Sequence, residues 1–191
     1  MGTITVDQIV TADGFAAESD GGLSFFGAFD PALAEDGRTD HGQLAWLETV
    51  DAMLLGRRTY EMFSSYWPTP ASDGDEVAGW INAAPKHVVS STLDAAPWGD
   101  HPAAELHRDP VAAVADLRER YGSVVVWGSL DLTDALFTAG EVDVLRLRTV
   151  PVVIGSGRSF VPASLGSQRL ALDGSTTQVT GHVATSYRVL R

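Results

Sequence analysis

Cysteine is absent from the 191 residues, and a disulfide framework, a thiolate zinc site, an iron–sulfur cluster and cysteine nucleophile chemistry are excluded with it. Lysine is almost absent: Lys86 stands alone beside twelve arginines that never run more than two together, in a chain of net charge −12. A nucleic-acid binder needs a basic stripe, so that class is excluded, and the acidic excess serves solubility. No apolar run approaches the roughly 18 residues of a membrane helix. Met1 to Val10 has neither the basic nor the apolar region of a signal peptide. A soluble, cytoplasmic protein without membrane or nucleic-acid partners is expected.

Several motifs are missing too. Gly155-Ser156-Gly157 lacks the third glycine of the dinucleotide fingerprint, and there is no Gly-Lys-Ser/Thr, no Gly-x-Ser-x-Gly, and no zinc-deaminase His-x-Glu with paired cysteines. The histidines His41, His87, His101, His107 and His182 show no metal-ligand spacing, so they read as surface or packing residues and no metal is expected.

What is present is the composition of an ordinary folded chain, 45% hydrophobic and 20% charged. A single domain over residues 1–191 is expected, long enough to bury about 70% of its unfolded surface without staples. Thr3 to Val10 alternates like a strand and ends at Thr11-Ala12-Asp13-Gly14. Phe15 to Arg38 reads as a loop, of the length typical of lids and binding loops. A helix over Asp40–Val50, a buried strand over Ala52–Leu55 and a helix over Arg57–Tyr66 follow, the last broken by Pro68 and Pro70. The carboxylates of Asp73 to Glu76 offer a cap for a helix over Val77–Ala84, before a strand over Lys86–Ser90. Asp109-Pro110 caps a helix whose buried face is expected to carry Val111, Val114, Leu117 and Tyr121, with Gly122 ending it. Ser123–Trp127 reads as a strand buried on both sides, Ser129–Ala139 as a helix, and Val142–Ile154 as a long strand interrupted near Pro151. The tail is strand-only: Arg169–Leu172, Thr176–Thr180 and Val183–Leu190, with Asp173-Gly174 and Gly181 as turns. Alternating strands and helices with a strand-only end make the fold class α/β, with a mostly parallel sheet and antiparallel strands added late.

In such sheets ligands collect where strands end and helices begin. Three junctions qualify. At Gly56-Arg57-Arg58-Thr59 a glycine, two guanidiniums and a hydroxyl follow a buried strand, which is anion-binding equipment; the competing reading pairs both arginines with nearby acids. Gly128-Ser129-Leu130 could hold a pyrophosphate on helix amides, or be no more than a turn. Ser90-Ser91-Thr92 clusters hydroxyls that could contact ribose or phosphate, or equally cap a turn. Trp46, Trp67 and Trp80 could wall a pocket for a flat ring, although core packing is the commoner use.

Taken in order, Thr11 to Gly14, Leu54-Leu-Gly-Arg-Arg-Thr-Tyr-Glu61, Lys86-His-Val-Val-Ser-Ser-Thr-Leu93, Val124-Val-Val-Trp-Gly-Ser-Leu130 and Val150-Pro-Val-Val-Ile-Gly-Ser-Gly157 resemble the dihydrofolate-reductase-like superfamily. Within it the likeness is to stand-alone relatives of the reductase domain of bacterial riboflavin biosynthesis, across nearly the whole chain. The resemblance implies a central sheet with helices on both faces and NADPH, or NADH, lying across the strand ends. It implies hydride delivery to a small heterocycle of pteridine or pyrimidine type, or to a carbonyl. By that likeness Gly56, Arg57, Arg58 and Thr59 would hold phosphates, Ser90, Ser91 and Thr92 the adenosine side, and Gly128, Ser129 and Leu130 the pyrophosphate. Ala12 and Asp13 would lie near the nicotinamide. Relatives often carry an arginine in the Ser-x-Thr turn where this chain has Ser91, so selection of NADPH would rest on Arg57 or Arg58. Hydride transfer to C=N must be matched by a proton. Asp13, Asp40 and Glu48 beside the first long helix, Glu61 and Tyr66 are the candidates, with a structural use as the competing reading for the last two. A homodimer is expected, and a non-catalytic dinucleotide-binding or regulatory module is the rival function.

Overall fold

The computed structural model describes residues 1–27, 42–178 and 181–191. Ten strands are present among them: β1 (Thr3–Thr11), β2 (Phe15–Ala17), β3 (Ala52–Gly56), β4 (Lys86–Val89), β5 (Glu105–His107), β6 (Ser123–Val126), β7 (Val144–Val150), β8 (Arg158–Ser159), β9 (Leu170–Thr177) and β10 (Val183–Val189). Five α-helices accompany them: α1 (Gly42–Leu47), α2 (Arg57–Ser64), α3 (Ala78–Ala83), α4 (Pro110–Arg120) and α5 (Leu130–Thr138). Eight strands form one sheet in the order β5-β4-β3-β6-β1-β7-β10-β9, while β2 and β8 pair separately. The pairs from β5 through to β7 are parallel, and β7–β10 and β10–β9 are antiparallel. The fold is thus the α/β class expected, with a mostly parallel sheet and antiparallel strands at its end.

Alternation explains the layers. Side chains along a strand point to opposite faces, so Ile4, Val6, Leu54, Val124 and Val126 meet Val114 and Leu117 of α4 and Leu136 of α5 on one face. Met53, Leu55, Val88 and Val125 meet Tyr60 of α2, Ile81 of α3 and Trp98 on the other. All five residues of β3 are buried, as a central parallel strand requires.

Local chemistry sets the helix ends. Asp109 Oδ1 accepts the Ala112 amide at 2.8 Å and Pro110 opens α4. Its buried face is Ala113, Val114, Leu117 and Arg118, whereas Val111, expected inside, is exposed. No side chain caps α3: Val77 occupies the cap, and the carboxylate of Asp75 is taken by the Tyr66 hydroxyl instead. The single lysine is buried, its Nζ donating to Asn82 O at 2.7 Å and Ala84 O at 2.8 Å, and desolvation pulls its pKa down to about 8.

Other boundaries differ from expectation. The segment after Phe15 opens with β2, and residues 28–41, which include Asp40, lie outside the described residues. β5 and β8, of three and two residues, are too short to carry a periodic signal. β7 stops at Val150, since Pro151 brings no amide to the ladder. Asp173-Gly174 is no turn: β9 runs through it, and the register shift opposite Ser186 and Tyr187 leaves Asp173 as a bulge. Residues 179–180, the end of the expected strand over Thr176–Thr180, are also outside the described set. Among the described residues no helix is long and apolar enough to cross a membrane.

Arg118 ties three elements together. From α4 it donates to Gly2 O and Glu141 O, both at 2.7 Å, and to Asp143 Oδ2 at 2.5 Å, while the same carboxylate oxygen accepts the Ile4 amide at 2.9 Å. Arg118→Leu should therefore cost roughly 2–4 kcal/mol in denaturant unfolding, the range for leaving a paired carboxylate and two buried carbonyls without their donor.

Candidate functional site

Because β3, β4, β6 and β1 run parallel, their carboxyl ends share one rim. There β3 and β6 approach so closely that the Gly56 amide donates to Gly128 O at 2.6 Å. A Cβ on Gly56 would stand 2.4 Å from Ser129 Oγ and 2.6 Å from Ser129 N, so only glycine permits the contact. Gly128 sits at φ +82°, and the Gly128–Ser129 peptide is cis. The contact sets the first turns of α2 and α5 side by side, and neither helix has a side-chain cap. Their leading amides are left to whatever anion lies on the rim.

Three joined depressions run from this point. The first, about 370 Å³, lies between Gly56, Arg57, Arg58, Ser91, Thr92 and Arg108. The second, about 400 Å³, shares Arg58, Ser129 and Asp131 with it and continues past Thr59, Gly128 and Leu130 to Asp7, Ala16 and Ala17. The third, about 460 Å³, shares Ile9, Phe63, Trp127 and Arg148 with the second and is closed by Tyr66, Trp67 and Ile81. Together they make a trough that is cationic and amide-lined at one end and aromatic at the other.

Most of the expected binding residues gather here. Arg57 and Arg58 both line the first depression. Arg57 also pairs with Glu61 at 2.9 Å, the competing reading realised for that residue, whereas Arg58 has no ion-pair partner among the described residues and reaches both depressions. Ser90 is buried and its hydroxyl accepts the amides of Thr92 and Leu93 at 3.2 and 3.0 Å, so its side chain holds the turn while exposed Ser91 and Thr92 face the cleft. Ala12 and Asp13 lie outside the trough. Ala12 donates to Val152 O at 2.8 Å, and Asp13 Oδ2 accepts the Gly155 amide at 2.7 Å, so the turn after β1 is tied to residues 152–155. The Thr11 hydroxyl, at 2.6 Å, and the 154–155 amides hold the Asp13 carboxyl below its usual range. The other proton-donor candidates fare no better. Glu48 is exposed after α1 and Glu61 faces outward to Arg57, so neither lines the trough. Tyr66 does line it, but its hydroxyl donates to Asp75, a bond that raises its pKa. Of the tryptophans, Trp67 walls the aromatic end, Trp46 lies under Arg146 with its ring 4.2 Å from the guanidinium, and Trp80 packs on Trp127.

Two features escaped the sequence reading. Arg108, just past β5, lines the first depression and donates to Ser90 O at 2.8 Å, supplying a cation beside the turn where Ser91 does not. In the floor of the trough Asp7 is buried in β1, where Arg146 reaches it at 2.9 Å, Arg148 at 3.1 Å and the Trp127 indole N–H at 2.7 Å. Burial pushes the Asp7 carboxyl up, but Arg148, Arg146 and Trp127 outweigh it and hold the carboxyl below the usual range. Asp7 is thus an ionised anchor with no proton to give. Arg146 also donates to Gln43 Oε1 at 2.8 Å, and Arg148 remains partly open to the trough. The signal was available as a lone aspartate inside a β-branched strand and as arginines alternating with Leu145 and Leu147.

A folded-state pKa below the unfolded value means that Asp7 stabilises the fold above about pH 4, and that this contribution fades as pH falls through the folded value. Asp7→Asn should therefore lower stability by roughly 2–4 kcal/mol at neutral pH. The gap to the parent chain should shrink in unfolding curves taken at increasingly acid pH.

The comparisons with known proteins agree on one family. The model of the RibD C-terminal domain matches residues 2–184. YyaP of Bacillus subtilis, described as an uncharacterized protein, is 27% identical over 158 residues, 81% of this chain and 78% of its own. A crystal structure of a putative riboflavin biosynthesis protein from Shewanella sp. PV-4 superposes with TM-score 0.77 at 21% identity, covering 99% of both chains. Dihydrofolate reductase from Enterococcus faecalis, complexed with NADP(H), superposes with TM-score 0.61 at 15% identity, covering 100% of this chain and 98% of that one. With nearly its whole length matched, the chain belongs to the RibD C-terminal domain family, a family of reductase type.

Proposed function

We propose that this protein is an NADPH-dependent reductase acting on a small flat heterocycle or a carbonyl compound. The observation that carries this reading is the continuous trough, which joins two uncapped helix starts and three arginines at one end to an aromatic chamber holding Arg148 at the other. The residues fit an extended dinucleotide: the Gly56–Ser129 contact, which a Cβ would block, presents amides for a pyrophosphate. Arg58 and Arg108 flank Ser91 and Thr92, where an additional ribose phosphate would find charge-assisted donors. When bound, the nicotinamide supplies the hydride.

The chain's own residues then orient and bind. Phe63, Trp67 and Trp127 enclose a flat ring. The Asp7 carboxylate fixes the guanidinium of Arg148, which faces both the second and third depressions, so a substrate carbonyl or anionic group meets a donor already held in place. Asp7 keeps its charge and the Tyr66 hydroxyl is spent on Asp75, so neither gives the proton that balances hydride transfer; water in the second depression, which Glu18 and Asp20 also line, supplies it. That neither Asp7 nor Tyr66 can serve as the acid is also what favours the second reading, a dinucleotide-binding module without turnover.

Titration with NADPH and with NADH, followed by tryptophan fluorescence, and then by the near-ultraviolet absorbance of the reduced nicotinamide with dihydrofolate and a carbonyl panel, separates the two. Binding with oxidation supports the reductase, binding without it supports the module, and no binding of either nucleotide refutes both. Arg58→Ala combined with Arg108→Ala should weaken NADPH at least about tenfold while leaving NADH nearly unchanged, given roughly 1.5–3 kcal/mol per charged hydrogen bond. Equal losses for the two nucleotides would move the additional phosphate away from these arginines.

A further inference from the structure

At the β5 edge of the sheet, outside the trough, His87, Glu105 and His107 converge. β4 and β5 are parallel, with His87 opposite Glu105 and Val89 opposite His107. His87, Glu105 and, two residues further on, His107 therefore project from one face. His87 Nδ1 lies 3.1 Å from His107 Nε2 and 3.5 Å from Glu105 Oε2, and His107 Nε2 lies 3.9 Å from Glu105 Oε1. Ligands bound to tetrahedral zinc at about 2.0–2.1 Å stand about 3.3 Å from one another, and the His87–His107 and His87–Glu105 separations already bracket that spacing. We propose that His87, Glu105 and His107 bind a divalent transition-metal ion, zinc by their donor set of two imidazole nitrogens and one carboxylate oxygen, with water completing the shell.

The surroundings suit that role. The other ring nitrogen of His87 meets the Tyr121 hydroxyl at 3.2 Å. With Nε2–H donating there, Nδ1 turns its lone pair toward the other two ligands, as outer partners of metal-bound histidines do. Arg120 grips both oxygens of Glu105, at 3.1 and 2.8 Å, and orients the carboxylate while leaving lone pairs for a cation. A depression of about 300 Å³ opens between His87, Glu105, Arg120 and Tyr121, shares no lining residue with the trough and brings solvent to two of the three ligands. The ion would fasten the three-residue edge strand β5 to β4 and so steady Arg108, the next residue in the chain. The two histidines are twenty residues apart, which is why no ligand spacing is visible in the sequence.

The test is calorimetric titration of the chelator-treated full chain with zinc chloride, paired with thermal unfolding and with the visible spectrum of the cobalt(II) form. A single equivalent of zinc, a raised Tm and a four-coordinate cobalt spectrum are expected. His107→Gln should weaken zinc by at least about 100-fold, beyond the 10–100-fold that loss of an outer partner costs. Exposed His101→Gln should change nothing. Should His107→Gln fail to fold, Glu105→Gln makes the same comparison. Absence of stoichiometric binding, or binding that survives His107→Gln, overturns the site and leaves an ion-pair and histidine network. Neither result decides whether a nucleotide binds in the trough, which the fluorescence titration reads separately.

Discussion

The contact between the ends of β3 and β6 governs this molecule. Gly56 and Gly128–Ser129 meet backbone to backbone, closer than any side chain would allow, and two helices start from that point. Each brings unpaired amides and a partial positive charge to the same few ångströms. In a chain of net charge −12 that is an economical way to create an anion site, because backbone dipoles do most of what side-chain cations would otherwise have to do. Arg58 and Arg108 add to a field already present, from the first turn of α2 and the β5–α4 connection respectively.

The second constraint is the buried charge of Asp7. An ionised carboxylate inside a sheet is tolerable only where donors surround it, and here two guanidiniums and an indole do so. The same arrangement fixes β1 against β7, holds Arg148 toward the trough and stacks Arg146 over Trp46. Core stability and the polarity of the chamber floor are therefore one construction. This explains why Asp7 gives the floor a rigidly held donor in Arg148 and no proton of its own.

How much of this could be read from the sequence follows from what periodicity reports. Alternation in β1, the apolar runs of β3 and β6, and the Asp109-Pro110 cap are local signals, and they marked the central elements and the Gly56 and Gly128 junctions. Partnership is not local. Asp7 and Arg146 are 139 residues apart and meet only through the β1–β7 register, and Arg108 enters the rim because a three-residue strand delivers it there. The acid candidates show the same limit from the other side. Glu48 and Asp13 occupy plausible chain positions, yet α1 ends one residue before Glu48 and leaves it in an exposed turn, and the 152–155 tether withdraws Asp13.

One feature of the opposite layer reaches beyond folding. Lys86 is the only lysine, and its ammonium is enclosed by the carbonyls of Asn82 and Ala84 beneath the Trp98 ring. Amine-selective reagents, whether acylating labels, cross-linkers or immobilisation chemistries, therefore find no exposed side chain on the folded molecule.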